Sequence, residues 1–153
     1  MTSPAMLEES RCWTVSGVRT AEEFFRAVSL LVPDATHVFL EGSPVPDIEL
    51  ILAGAADEAP YSAPAGTIWS WPRKNRRFSV RASRELFMQL SEAAASHAEP
   101  EICAHIHFYR GQEALVQWFD AFSDPLLVSR SVERERVESF TAAVGGVLAD
   151  GSA

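Results

Sequence analysis

Arg110-Gly111-Gln112-Glu113 constrains this chain more than any other stretch, because an alternating apolar segment runs into it from each side. Only a two-residue hairpin joins two such segments so tightly, and Gly at the first central position suits a type II′ turn, with opposite charges flanking it. Pairing Arg110 with Glu113 predicts Tyr109 opposite Ala114, His107 opposite Val116, His105 opposite Trp118 and Cys103 opposite Asp120. Strand alternation then gathers Cys103, His105, His107, Tyr109, Trp118 and Asp120 on one face. The other face takes Ile102, Ala104, Ile106, Phe108, Leu115 and Phe119, with Gln117 as the one polar intruder, and reads as the core side.

The remaining elements follow from periodicity and punctuation. Residues 11–16 read as a first strand, and Thr20 with Glu23 forms a capping box for a helix that turns Phe24, Phe25, Val28 and Leu31 inward until Pro33. Residues 36–41 read as a strand, and the prolines of 43–47 introduce a short helix through Leu52 or Gly54. After a loop over 55–66, residues 67–71 and 78–82 read as an antiparallel hairpin with a basic tip. Ser83 caps a helix carrying Leu86, Phe87, Leu90 and Ala94. Strands at 102–109, 114–120 and 126–130 precede a last helix from about Glu133, which buries Val137, Phe140, Val144 and Leu148. Hairpins and a three-strand meander outnumber parallel crossovers. The fold expected is therefore α+β: a single domain over 11–148, a largely antiparallel sheet, and about four helices packed mainly on one face. Residues 1–10 are expected to be disordered and 149–153 frayed.

Composition narrows the function classes. At 153 residues the chain buries roughly 68 to 70% of its unfolded surface in one core and needs no staple. Its two cysteines, Cys12 and Cys103, match no paired-cysteine metal spacing or disulfide framework and read as free thiols. No segment has the ~20 consecutive apolar residues that cross a bilayer, and the start lacks a signal-peptide pattern, so the expected location is cytoplasmic. A net charge of −8 disfavours nucleic acid and anionic membranes as partners. Arg73, Lys74, Arg76, Arg77, Arg81 and Arg84 nevertheless hold six of the thirteen basic residues. Beside Trp69 and Trp71, the group Arg73, Lys74, Arg76 and Arg77 is a candidate anion site, with arginine over indole as one geometry. The plainer reading is a solvated hairpin tip.

The His-x-His face holds the sharpest chemistry. Asp120, diagonal to His105, can fix its tautomer as the carboxylate of a general base. Alternatively His105 and His107 share a metal, with a third ligand from Cys103, Asp120 or the strand bearing His37 and Glu41, which also share a face. No second motif supports either reading, and the plainer one is an aromatic patch of neutral imidazoles with no metal or cofactor. Phosphate loops, nucleophile elbows and zinc-protease helices are missing from the sequence. The sequence leaves the enzyme question open. It favours a non-catalytic binding or regulatory module of the inhibitor type, engaging a protein partner or a second copy through an aromatic and acidic surface. The alternative is a small enzyme or metal-binding protein centred on His105, His107 and Asp120.

Overall fold

Helix caps are where local sequence acts most directly on this chain. In the computed structural model, the Thr20 hydroxyl accepts the Glu23 N–H at 3.2 Å and the Ser83 hydroxyl accepts the Leu86 N–H at 3.0 Å. Each satisfies a backbone donor that the first helical turn leaves unpaired. They open α1 (Ala21–Leu31) and α3 (Arg84–Ala94). Pro46 at the first turn opens α2 (Pro46–Gly54), where its missing N–H costs no helical bond. The structure describes residues 6–42, 45–56, 76–97, 105–119, 121–122 and 124–150, with only the backbone of Arg76.

Seven strands form one antiparallel sheet in the order β3-β2-β4-β5-β6-β1-β7. They are β1 (Trp13–Ser16), β2 (His37–Gly42), β3 (Arg76–Arg81), β4 (His105–Arg110), β5 (Glu113–Trp118), β6 (Leu126–Val128) and β7 (Val147–Asp150). Together with α4 (Arg134–Val144) this is the α+β domain with a β4-β5-β6 meander that the sequence leads one to expect. Helix α1 lies between α3 and α4, and α2 packs on α3. The helices bury one sheet face in a single apolar cluster. Phe24 sits at its centre, with its ring 6.0 Å from Phe108, 5.0 Å from Trp118 and 6.0 Å from Phe140.

The hairpin turn holds: Arg110 pairs with Glu113 and Tyr109 with Ala114. Gly111 has φ +61°, and Gln112 is not among the positive-φ residues, as a type II′ turn requires. Beyond the turn the expected register fails. Phe108 pairs with Val116, so β5 carries one extra residue, Leu115, as a bulge. From there His107 lies opposite Gln117, not Val116, and Ile106 opposite Trp118, which removes Trp118 from His105. Val116 and Trp118 thus turn to the helix-covered face, while Gln117 leaves it. The polar intruder in the core disappears.

Strand β3 pairs with β2, and Ala56 bridges Val80 on its outer side. The expected partner strand 67–71 and the loop beyond residue 56 lie outside the described residues. The last helix is shorter than its apolar spacing suggests. Gly145, at φ +65°, ends α4, and the Gly146 N–H returns to the Thr141 carbonyl at 3.0 Å. Leu148 then belongs to β7, which pairs with β1 from Ser16↔Val147 to Trp13↔Asp150, so Ala149 and Asp150 are strand residues. Near the start, Glu9–Arg11 forms one 3₁₀ turn. Among the described residues no helix is long and apolar enough to cross a membrane.

Candidate functional site

The second sheet face is built by cross-strand pairing alone. Glu41 pairs with His105 and Phe39 with His107 between β2 and β4, Arg77 pairs with Glu41 across β3, and Gln117 pairs with His107 across β5. Directly opposed residues share a face, so these six side chains form one patch. Phe119, just past β5, joins it, with its ring 4.6 Å from His107 and 5.8 Å from His105. The Phe39 and His107 rings lie parallel with centroids 6.0 Å apart.

This face is as buried as the apolar one where the histidines lie. Glu41, His105, His107 and Gln117 are between 0 and 3% exposed. Such groups need partners to offset their lost hydration. Glu41 Oε2 accepts from Arg77 Nε at 3.0 Å, and its Oε1 lies 3.7 Å from His105 Nε2. Gln117 Oε1 accepts the Leu7 backbone N–H at 2.8 Å, and its Nε2 points to the Met6 sulfur at 4.0 Å. Leu7 packs against a small apolar cluster of Phe39, Tyr109 and Ala114.

His107 is the exception. Its Nδ1 accepts the Trp118 backbone N–H at 3.3 Å, which places the ring proton on Nε2. Among the described residues that buried Nε2 has no hydrogen-bond partner. Burial first, and the neighbouring His105 second, push the imidazole down to about 3. It is therefore neutral throughout the physiological range. Burial likewise pushes the Tyr109 phenol up to about 12, against the opposing influence of the Gln117 amide.

The structure brings together His105, His107 and Tyr109 of the expected face, and sends Trp118 to the other side. There its indole N–H donates to the Asp124 carbonyl at 2.7 Å, and the indole ring lies 4.6 Å from that of Phe122. Cys103 and Asp120 lie outside the described residues, as do Arg73, Lys74, Trp69 and Trp71. Of the candidate anion site, only Arg77 has a described side chain, and it is engaged by Glu41. Arginine over indole does occur, but at Trp13, with Arg130 4.2 Å from the ring centroid. Among the described residues no three His, Cys, Asp or Glu side chains are grouped to hold a metal ion. Cys12 is a free, buried thiol.

Phe39, Gln117 and Phe119 are the face residues that alternation counted from the turn does not find. Glu41 is legible as a residue sharing a face with His37, and its place beside His105 depends on β2 and β4 being neighbours. Against family models, curated proteins and solved structures, the chain finds no match. Its chemistry has to be read from this face itself. An aromatic and amide-bearing floor with one compensated carboxylate is equipped for hydrogen bonding and ring contact. Proton transfer near neutral pH requires a group whose pKa lies near that pH, which His107 is not.

Proposed function

We propose that this chain is a cytoplasmic, non-catalytic binding module of the regulatory type, engaging a protein partner through the second face of its sheet. The observation that carries the reading is His107, a buried neutral imidazole with its Nε2 unpartnered among the described residues. Such a group costs folding free energy and is poorly tuned for acid–base work, while the half-exposed Arg77 and the partly exposed Phe119 beside it are the surface a partner would meet. The net charge of −8 argues against nucleic acid, and the free Cys12 thiol suits a reducing compartment.

The test is crosslinked capture and size exclusion of full-length protein. A partner retained by Leu50→Asp on the helical side, and lost by Arg77→Ala with Phe119→Ala, supports the reading. A strict monomer with no partner, or a partner lost only with Leu50→Asp, overturns it.

One observation favours a second reading. Glu41 Oε1 lies 3.7 Å from His105 Nε2, a carboxylate beside an imidazole, as an acid–base or metal site would use. That enzyme or metal reading stands on stoichiometric metal by elemental analysis of untagged protein, or on a His105 titration that shifts with ligand. Substoichiometric metal without pH-linked binding removes it.

A further inference from the structure

The second face already holds a peptide: the chain's own Met6–Leu7 segment. Its contacts have the form that proteins use for extended peptides, in which a main-chain hydrogen bond supplies attraction and a side-chain pit supplies selectivity. Gln117 reaches across 110 positions of sequence to accept the Leu7 N–H at 2.8 Å, and its amide nitrogen faces the Met6 thioether at 4.0 Å. The Leu7 side chain sits on Phe39, Tyr109 and Ala114, a cluster separate from the main core. Gln117 itself is fully buried, so this amide serves the segment and not solvent.

The segment is held lightly. Met6 is 50% exposed, and the 3₁₀ turn that follows, Glu9–Arg11, buries none of its residues. A segment with so few buried contacts opens at far lower cost than the core strands beneath it. Its advantage over an outside competitor is that it is tethered, which gives it a high effective concentration.

We infer that Gln117 and the Phe39–Tyr109–Ala114 pit form a peptide-binding site occupied in cis by Met6–Leu7. Its partner is an extended segment of another protein that carries an apolar pair of the Met-Leu kind. The cis segment then sets a threshold, because a partner binds by displacing it. This rests on the binding-module reading above and names the partner's chemistry.

The probe is a fluorescent peptide with the sequence of residues 3–11, titrated by anisotropy into full-length wild type and full-length Leu7→Asp. Leu7→Asp is expected to bind it at least tenfold more tightly than wild type, and Gln117→Leu added to Leu7→Asp to reverse that gain. Equal binding by wild type and Leu7→Asp, or none by either up to millimolar peptide, overturns the inference. If Leu7→Asp loses its near-ultraviolet circular dichroism, exchange of the Leu7 amide in wild type decides. Excess peptide should speed it, and an unchanged rate is an overturning result. A wild-type dimer that Leu7→Asp dissociates assigns the pit to a second copy and overturns the choice of partner. A partner captured on this face while the peptide fails sinks the inference alone; no captured partner sinks the reading beneath it.

Discussion

The Trp118 amide donates to Nδ1 of His107 at 3.3 Å, although the Trp118 indole lies on the opposite side of the sheet. Burial first, and the neighbouring His105 second, keep His107 neutral, with a pKa of about 3. An unfolded histidine takes up a proton below about 6.5, whereas the folded one does not until about 3. Stability is therefore complete above pH 6.5 and falls as pH drops below it, by about 2 to 3 kcal/mol at pH 4.5. Urea midpoints at pH 7 and 4.5 should show this loss in wild type and a clearly smaller one in His107→Phe. Parallel losses in both proteins would place the acid sensitivity elsewhere.

Trp118 belongs to the core beneath α1, 1% exposed and 5.0 Å from Phe24. Trp118→Ala should cost about 3 to 5 kcal/mol by chemical denaturation, as large core truncations do. Part of that arises because the Asp124 carbonyl loses the indole donor. A cost below about 1 kcal/mol would show that the indole is not packed there.

Glu41 is buried, whereas the Arg77 side chain that neutralises it is 52% exposed. Their coupling is thus weaker than that of a fully buried pair and stronger than that of a surface one. A double-mutant cycle of Glu41→Gln and Arg77→Met, followed by thermal and urea unfolding, should give a coupling of about 1 to 2 kcal/mol. Additive effects of the two substitutions would mean that Glu41 draws its compensation from other groups.

Gly145 and Gly146 act differently at the end of α4. Gly145→Ala forces an L residue to φ +65° and should cost about 1 kcal/mol. A Cβ on Gly146 would lie 2.6 Å from the Ser16 carbonyl oxygen, so β7 must move away from β1. Hydrogen exchange should show the β7 amides losing protection in Gly146→Ala while those of α4 keep theirs. Unchanged β7 protection would contradict the close approach.

The parts of this fold legible in the sequence are those governed by neighbours along the chain. Thr20 and Ser83 cap as their residue types suggest, Gly111 takes the positive φ its turn requires, and His105, His107 and Tyr109 share one strand face. What escaped depends on partners distant in sequence. The Leu115 bulge matches no pattern in the residues around it, and it alone exchanges Trp118 for Phe119 beside the histidines. Leu148 fits the apolar spacing of α4, and only pairing with β1 makes it a strand residue. The place of Glu41 beside His105 required knowing that β2 and β4 are neighbours.

Because one inserted residue separates the pairs Tyr109↔Ala114 and Phe108↔Val116, everything after it in β5 obeys a parity rule. Deleting Leu115 removes the unpaired residue and leaves Phe108↔Val116, His107↔Gln117 and Ile106↔Trp118 in place, so Trp118 stays in the core and Gln117 stays beside His107. Deleting a residue from the turn instead slips the strands by one position, and a one-residue slip sets residues of opposite faces against each other. Length variation is thus tolerable at some positions of this hairpin and inverting at others, and a substitution scan alone would never reveal the difference.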